Sequence, residues 1–377
     1  MRRGWWFAFA VFASLLVVIL FVWSRRGSDA RQISVGVVLP LTGDGAKYGA
    51  AARKAIELAF SAVNSAGGVN GTPLRAIYED SQGKPQQGVS ALQKLIAFDR
   101  VPAVIGDLFS SVTLAMAPVA ESNRVVVLSP TSSAPAITNA GDYIFRNCAS
   151  DEFEGAAMAE AATSRLGIKR VAILYVNNDY GVGIVTVFRK KFLERGGTIV
   201  AEEAFLQGAS DFRAQLTRLR SVPSDAIYIV GYKELGQALK QATELGLKRQ
   251  FLSTVMFEDL EILRVAGPAA DGVVYSARAY DPQNTDPRTQ AFVSGFRARY
   301  GETPDIFAAF AYDSANVMAR AMETGGPTSE GIKKALYSIK DFQGVCGPVT
   351  FDENGDVSQP AFLKTVRNGA FTWFERK

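Results

Sequence analysis

The hydrophobic residues of this chain follow two alternating spacings. Short apolar runs rich in β-branched residues, such as 33–39, are followed by longer stretches such as 51–65, where apolar residues recur every three or four positions. The first spacing predicts buried strands and the second predicts amphipathic helices. Further strands are predicted at residues 74–78, 103–105, 125–128, 143–147, 171–176, 199–204, 226–230, 251–254 and 272–276.

The order of these elements predicts the fold class. Repeated strand–helix units indicate a parallel sheet covered by helices on both faces. One series of units ends near residue 147 and a second begins at 151, so we expect an α/β protein with two doubly wound parallel-sheet lobes. After residue 280, helical patterns precede strand-like segments at 342–351 and 362–366, which suggests that the chain returns to a lobe it has left.

The N-terminal segment is the longest apolar run of the chain. Residues 4–23 are twenty uncharged, mostly apolar residues, a length that can span a bilayer as a helix. Small residues at 28–30 could form a signal cleavage site, but Arg25 and Arg26 precede them. We expect residues 1–30 to be an uncleaved signal-anchor, with a cleaved signal peptide as the alternative. Both place the remaining chain in a bacterial periplasm.

Charge and composition narrow the function classes. The net charge is +4, and four arginines against one aspartate put +3 of it in the first thirty residues. The remaining 347 residues carry only +1 and show no basic stripe. A nucleic-acid binder normally shows a basic patch, so we exclude that class.

The chain contains no histidine, which excludes Ser–His and Cys–His catalysis as well as histidine metal sites. The glycine spacings of dinucleotide-binding and Walker A loops are also absent. We therefore assign no catalytic residue, cofactor or metal ligand. Only Cys148 and Cys346 are present, and they could form one disulfide or remain as buried free thiols.

Loops that follow strands are the candidate ligand-binding segments, because ligands of open α/β sheets bind beyond the carboxyl ends of the strands. Residues 40–52 join the first strand to the first helix through a glycine-rich turn. The backbone amides and the helix dipole there can hold an anion, and Tyr48 adds an aromatic face. An ordinary strand-to-helix loop remains the alternative.

Two further loops are rich in hydroxyl groups. Residues 107–111 place Ser110 at the start of a helix, and residues 129–135 contain four hydroxyl side chains between two prolines. Helix capping and a polar turn explain each loop alone, but at adjacent strand ends the two loops favour a shared ligand site. In the second series, Tyr180 and Tyr232 also follow strands, where tyrosines either pack or bind.

These loops, in this order, resemble the leucine/isoleucine/valine-binding protein family, the periplasmic substrate-binding proteins of ABC transporters. The resemblance covers residues 32–377. It rests on GVVLPLTGDGAKYG, NSAGGVNG, YEDSQGKPQQGVSALQKLI, VIGDLFSSVTLAMAPVAE, LSPTSSAPAIT, YVNNDYGVG, SDFRAQLTRL and GPVTFDENGD. It implies the type I two-lobed fold with a three-segment hinge. Lobe 1 would comprise 32–149 plus 278–341, and lobe 2 would comprise 150–277 plus 342–377.

The resemblance also implies a ligand site between the lobes. The ligand carboxylate would be held by Ser110, Thr131 and Ser133. The cleft would be lined by Tyr48, Tyr180 and Tyr232.

Two departures from the family pattern bear on the ligand. Val255 stands where amino-acid-binding members carry the carboxylate that pairs with the ligand ammonium. Because a desolvated ammonium without a counter-ion is costly, either another carboxylate takes over or the ligand is not an α-amino acid. The candidate replacements are Glu258, Asp259 and Asp179. Ser81 and Phe109 stand where amino-acid binders have a disulfide.

The expected function is therefore capture of an amino acid or related small carboxylate-bearing solute, which is delivered to the membrane permease of an ABC transporter. Residues 4–23 would attach the protein to the membrane. A ligand-sensing domain of a signalling system on the same fold is the second hypothesis, and an enzyme is the third. The binding hypothesis leads because hydroxyl-rich loops face each other without a catalytic constellation.

Overall fold

A computed structural model describes residues 32–374, which form two large sheets covered by helices. The first sheet has the order β2-β1-β3-β4-β5, and all of its pairings are parallel. Its elements are β1 (Ile33–Leu39), α1 (Ala46–Ser65), β2 (Leu74–Asp80), α2 (Pro85–Ala97), β3 (Ala103–Gly106), α3 (Ser110–Asn123), β4 (Val126–Ser129) and β5 (Ile144–Arg146).

The second sheet has the order β14-β13-β10-β9-β8-β6-β7. Its elements are α4 (Asp151–Glu160, continued by a π turn to Arg165), β6 (Arg170–Val176), α5 (Asp179–Glu194), β7 (Thr198–Phe205), α6 (Arg213–Arg220), β8 (Ala226–Val230), α7 (Glu234–Glu244), β9 (Gln250–Ser253), α8 (Leu260–Ala266) and β10 (Val274–Ala277). The five strands β6 to β10 pair in parallel, whereas the later strands β13 and β14 add an antiparallel edge.

The C-terminal part supplies α9 (Pro287–Tyr300), α10 (Ile306–Gly325), α11 (Ser329–Ser338), β11 (Phe342–Gly344), β12 (Gly347–Val349), β13 (Phe362–Arg367) and β14 (Ala370–Trp373). Helix α10 packs along α1 on the first sheet, and α9 and α11 pack beside them. We call the first sheet with α1–α3 and α9–α11 lobe 1. We call the second sheet with α4–α8 lobe 2.

The expected α/β class with two parallel-stranded lobes is confirmed, and the antiparallel edge of lobe 2 is the main difference. The strand β14 was not expected from the sequence. Helix α1 begins at Ala46 rather than at residue 51, because the glycine-rich turn ends in a short 3-10 helix that leads directly into it. The central strands are almost wholly buried, as their continuous apolar runs indicate.

The hairpin β11–β12 stays with lobe 1. The Asp313 carboxylate of α10 accepts hydrogen bonds from the backbone N–H groups of Val345 and Cys346, both at 2.8 Å. Arg146, which ends β5, forms an ion pair with Asp356. We therefore propose that the chain crosses back to lobe 2 after residue 357, not at 342. The two earlier crossovers are proposed near 147–150 and 278, as the sequence suggested.

The N-terminal segment at 1–30, with the apolar run 4–23, lies outside the described residues. Within residues 32–374, no helix combines the length and the hydropathy needed to cross a bilayer. Cys148 and Cys346 are both buried as free thiols. Of the two states that the sequence left open, the structure has the free thiols.

Candidate functional site

A cavity of about 40 Å³ lies between the lobes, at the carboxyl ends of their parallel strands. This volume is well below the roughly 300 Å³ at the lower end of typical ligand pockets. The lobes must therefore move apart before a solute can enter. The polar side chains that line the cavity are Ser110, Thr131, Ser133, Cys148, Tyr180, Tyr232 and Arg278.

Six of the seven residues predicted from the sequence line this cavity. They are Ser110, Thr131, Ser133, Tyr180, Tyr232 and Val255. Tyr48 does not line it. Its ring stacks on Phe307 with centroids 4.3 Å apart, and Phe307 itself faces the cavity. Tyr48 thus lies one layer behind the cavity wall.

Ser110 and Ser133 present hydroxyl groups from lobe 1. Ser110 is the first residue of α3, and its Oγ accepts a hydrogen bond from the N–H of Ala134 at 3.1 Å. The Ser110 proton is therefore left for an acceptor in the cavity. The backbone carbonyl of Ser133 accepts from Asp151 N–H at 2.8 Å, which holds its loop in place. Both hydroxyls, with the α3 N-terminus, suit a carboxylate.

The Thr131 hydroxyl is used differently. Its Oγ1 donates to the backbone carbonyl of Leu108 at 3.0 Å, since a carbonyl can only accept. In this conformation Thr131 offers the cavity a lone pair and ties the two hydroxyl-rich loops together. Its contribution to carboxylate binding is then positional unless the hydroxyl rotates.

Asp107 organises these loops from below, a role that the sequence did not reveal. Its carboxylate accepts from Ser81 Oγ at 2.5 Å and from Phe109 N–H at 2.8 Å. Its backbone carbonyl accepts from Ser129 Oγ at 2.6 Å. Complete burial raises the pKa of Asp107 to about 7, although these hydrogen bonds act in the opposite direction. The only signal in the sequence was an acidic residue directly after a buried strand.

Aromatic rings form the wall opposite the serines. Tyr232 lies between Phe109 and Tyr180, with ring centroids 5.0 Å and 5.2 Å away. The Tyr180 hydroxyl donates to Thr254 Oγ1 at 2.8 Å. The Phe109–Tyr232 contact crosses the cleft, because Phe109 belongs to lobe 1 and Tyr232 belongs to lobe 2. Closure of the lobes therefore completes the wall.

Arg278 and Glu154 form a buried ion pair at the hinge end of the cavity. Arg278 Nη2 lies 2.9 Å from Glu154 Oε2, and both side chains are almost wholly buried. Glu154 Oε1 accepts from Ser276 Oγ at 2.5 Å and from the backbone N–H of Val255 at 3.0 Å. The sequence did not identify this pair, because neither residue belongs to a recognisable motif. A charged residue at the end of an apolar strand was the available signal.

The three carboxylates proposed to replace the missing one at Val255 do not line the cavity. Glu258 is paired with Lys364. Asp259 caps α8 and binds Lys47 of lobe 1 at 2.7 Å. Asp179 is exposed at the start of α5.

Polar contacts join the lobes around the cleft. Lys47 of α1 binds Asp259, and Lys233 binds Asp44 at 2.7 Å across the same opening. The backbone N–H of Asp179 donates to Ser111 Oγ at 3.2 Å. These pairs are partly exposed, so each contributes little free energy by itself. Together they show that the lobes are in contact in the closed arrangement.

A larger depression of about 540 Å³ lies on the outside of lobe 1, between α1 and the edge strand β2. It contains none of the residues that the sequence singled out, and it opens directly to solvent. The smaller cavity between the lobes remains the candidate site, because the polar side chains that converge there come from both lobes.

The chain has two sheets that face each other across a cleft, and it crosses between them. Comparison with known proteins identifies a family with this chain's sequence pattern. The family model for periplasmic binding proteins matches residues 32–370. The chain belongs to this family. This match confirms the resemblance drawn from the sequence motifs. Branched-chain amino-acid-binding proteins are among the similar members of the family.

Several periplasmic binding proteins are similar along almost the whole chain. The leucine-, isoleucine-, valine-, threonine- and alanine-binding protein of Pseudomonas aeruginosa is 31% identical over 332 residues, which cover 87% of this chain and 88% of that protein. The structure of a leucine binding protein, LivK, from Thermotoga maritima matches with a TM-score of 0.85 and 31% identity, and covers 91% of this chain and 98% of that one.

A third similar structure holds a different ligand class. The solute binding protein of an ABC transporter from Rhodopseudomonas palustris, in complex with 3,4-dihydroxybenzoic acid, matches with a TM-score of 0.81 and 26% identity. It covers 90% of this chain and 95% of that chain. These relatives are binding proteins, and none of their names describes an enzyme.

Proposed function

We propose that this protein is the extracytoplasmic solute-binding component of an ABC transporter. It captures an amino acid or related small carboxylate-bearing solute between its lobes and delivers it to a membrane permease. The observation that carries the proposal is the cavity between the lobes, where Ser110 and Ser133 meet Tyr180 and Tyr232. The names of the similar proteins, which bind amino acids or an aromatic acid, support the same class of ligand.

The mechanism needs no covalent step. The solute enters the open form, and its carboxylate accepts hydrogen bonds from the Ser110 and Ser133 hydroxyls and from the α3 N-terminus. Rotation at the three crossovers then brings Tyr180, Tyr232 and Val255 of lobe 2 against the solute. The closed form carries the Lys47 and Lys233 ion pairs, which offer the permease a surface that the open form lacks.

We further propose that the protein acts in the periplasm, tethered to the inner membrane through residues 4–23. A cleaved signal peptide is the alternative. This apolar segment also favours the second candidate function, a ligand-sensing domain that signals to a membrane partner. Uptake of radiolabelled ligand by a deletion strain separates the two roles. Loss of uptake supports transport, whereas normal uptake with lost gene induction supports sensing.

Calorimetric titration of the full chain in detergent tests the capture role. The ligands are leucine, isoleucine, 4-methyl-2-oxopentanoate, benzoate, 3,4-dihydroxybenzoate and benzamide. We expect at least one carboxylate to bind with saturation and to raise the melting temperature. If none binds or stabilises the protein, the capture role is wrong.

Two serine variants test the site assignment. Losing a hydrogen bond to a charged group costs about 1.5–3 kcal/mol, which corresponds to about 10- to 150-fold in Kd. We expect Ser110→Ala and Ser133→Ala each to raise, by that factor, the Kd of the carboxylate ligand that binds the wild type. Ser122→Ala is the matched control, because it removes an exposed hydroxyl from the same helix as Ser110. Unchanged affinity in both site variants would refute the assignment.

A further inference from the structure

The side chains around the cavity are unsuited to an ammonium group. Among the described residues that line it, none is an aspartate or glutamate. Val255 contributes an apolar side chain at the position where a counter-ion was expected, and Met256 lies beside it. A positively charged group placed here would lose its hydration without gaining a carboxylate partner.

The Glu154 carboxylate behind this wall is already engaged by protein donors. Glu154 accepts hydrogen bonds from Ser276, Arg278 and the backbone of Val255. Three protein donors therefore occupy three of the roughly four acceptor sites of this carboxylate, and Glu154 does not line the cavity. Glu154 serves to hold Arg278 and the Val255 loop in place.

Arg278 leaves a donor free at the same end of the cavity. Its Nη2 is bound to Glu154 and to the backbone carbonyl of Ala149 at 3.4 Å. Its Nη1 is buried and has no hydrogen-bond partner anywhere within residues 32–374. The side chain is only 5% exposed, yet Arg278 lines the cavity. A buried charged donor without an acceptor is costly, so an acceptor supplied by the ligand would relieve the cost.

Backbone contacts link Arg278 to one of the serines proposed to hold the ligand carboxylate. Arg278 contacts Ala149, and two residues later the N–H of Asp151 binds the carbonyl of Ser133. Ser133 and Arg278 are thus joined through one short stretch of backbone at the hinge. A ligand whose carboxylate is bound by Ser133 would place its oxygen-bearing end toward this stretch of backbone.

We infer that the cleft selects a small carboxylic acid that carries no ammonium group, and that Arg278 Nη1 donates a hydrogen bond to its oxygen-bearing end. Acids with an oxygen beside the carboxylate, such as 2-oxo acids, and aromatic acids belong to this class. The inference rests on the proposed capture function and specifies its ligand. The cavity lining lacks an acceptor for an ammonium and includes a cationic donor residue, and both properties favour an oxygen-bearing ligand over an ammonium.

One buried carboxyl group competes with this assignment. Asp151 begins α4 near Arg278, and neither of its oxygens has a hydrogen-bond partner within the described chain. It does not line the cavity. Burial and the adjacent Glu154 charge raise its pKa well above the ordinary range, which favours the neutral form. Asp151→Asn therefore serves as the test of whether it acts as a counter-ion.

The decisive comparison uses two ligands of the same shape. Leucine and 4-methyl-2-oxopentanoate differ only at the second carbon, which bears an ammonium in one and a carbonyl oxygen in the other. Titration of the full chain is extended to phenylalanine, benzoate and 3,4-dihydroxybenzoate. We expect at least one ammonium-free acid to bind ten-fold or more tightly than either amino acid, in the wild type and in Asp151→Asn.

Variants of the wall test the role of Arg278 directly. Arg278→Lys keeps the charge beside Glu154 but removes the planar fork of donors. We expect Arg278→Lys to lower the affinity for the preferred acid at least ten-fold. Its melting temperature should stay near that of the control Arg264→Lys, which changes an exposed position. The double variant Arg278→Met/Glu154→Gln removes both partners of the ion pair and so leaves neither of them as an unpaired buried charge. We expect it to lose affinity for the acid as well.

The opposite change should recruit an amino acid. Val255→Glu adds a carboxylate to the cavity and is expected to strengthen leucine binding relative to 4-methyl-2-oxopentanoate. Equal or tighter wild-type binding of an amino acid would overturn the inference and leave the capture function standing. Wild-type affinity in Arg278→Lys and in the double variant would overturn the role of Arg278. If no ligand binds at all, the capture function fails and the inference fails with it.

Discussion

A wedge placed between the lobes should weaken binding without touching the ligand. Gly183 of α5 faces the loop after β4, and a Cβ built at this position would lie 2.8 Å from Pro135 Cδ and 3.8 Å from Ala134 Cβ. Ordinary contacts between carbon atoms are about 3.5–4.0 Å. A leucine at 183 adds three further carbons beyond the Cβ, so lobe 1 and lobe 2 cannot approach as closely as they do now.

The size of the effect follows from where the clash occurs. Overpacking costs about 1–3 kcal/mol in a closely packed contact. Gly183 and Pro135 belong to different lobes, so we expect opening to relieve this contact and the cost to fall mainly on the closed form to which binding is coupled. We therefore expect Gly183→Leu to raise Kd about 5- to 150-fold. Unfolding of the ligand-free protein should change by about 1 kcal/mol or less, because a leucine in a helix is also favourable relative to glycine.

Calorimetry and small-angle scattering measure this prediction together. The tightest ligand of the wild type is titrated into Gly183→Leu and into the control Val182→Leu, whose native side chain is 44% exposed on the same helix. Scattering records the decrease in radius of gyration on ligand addition. Gly183→Leu should lose much of that decrease and Val182→Leu should keep it. Wild-type affinity together with full compaction in Gly183→Leu would refute the closure mechanism.

Three further outcomes are expected. Removing the exposed Lys233–Asp44 pair with Lys233→Ala should change Kd by less than about five-fold, and that change should vanish at 1 M salt; a larger, salt-resistant loss would contradict a rim contact. Burial raises the pKa of Asp107 in the folded protein to about 7, whereas an unfolded aspartate has a pKa of about 4. Protonation of this group therefore stabilises the folded state fully below about pH 4, and the stabilisation is lost as the pH rises through 7. Thermal unfolding should thus show a stability decline from pH 4 to 7 that is shallower in Asp107→Asn, and an identical slope would exclude this group. A thiol reagent should not label Cys346 in the folded protein at pH 7 and should label it after denaturation, because this thiol is buried away from the cleft and burial raises its pKa; rapid labelling of Cys346 in the native protein would contradict the buried placement.

Much of the candidate site was accessible from the sequence. The pattern indicates the loops at 107–111 and 129–135 because both follow buried strands, and parallel strands bring their carboxyl ends to one edge. The resemblance to the family then selects Ser110, Thr131 and Ser133, which all line the cavity. Tyr180 and Tyr232 were found by the same reasoning. The prediction placed Tyr48 at the ligand, whereas Phe307 intervenes. Phe307 reaches the cavity from α10, more than 250 residues along the chain, and no local pattern connects the two.

The polar end of the cavity was inaccessible from the sequence for a related reason. Arg278 and Glu154 are 124 residues apart, and each looks like an isolated charge in its own segment. Likewise, the resemblance places residues 342–377 in lobe 2, whereas the hydrogen bonds from the hairpin β11–β12 to Asp313 of α10 support our proposal that the hairpin belongs with lobe 1. Such pairings depend on where the chain crosses between lobes.

The sequence by itself determined the α/β class, the two series of strand–helix units, the hydroxyl-rich loops and the absence of histidine chemistry. These properties follow from local spacing and residue type, which act over a few residues of chain. Only the tertiary structure decided that Glu258, Asp259 and Asp179 stay outside the cavity and that Arg278, whose Nη1 is buried without a partner in the described chain, lines it. Burial and pairing of charges arise between distant segments, and they determine which ligand the cleft can hold.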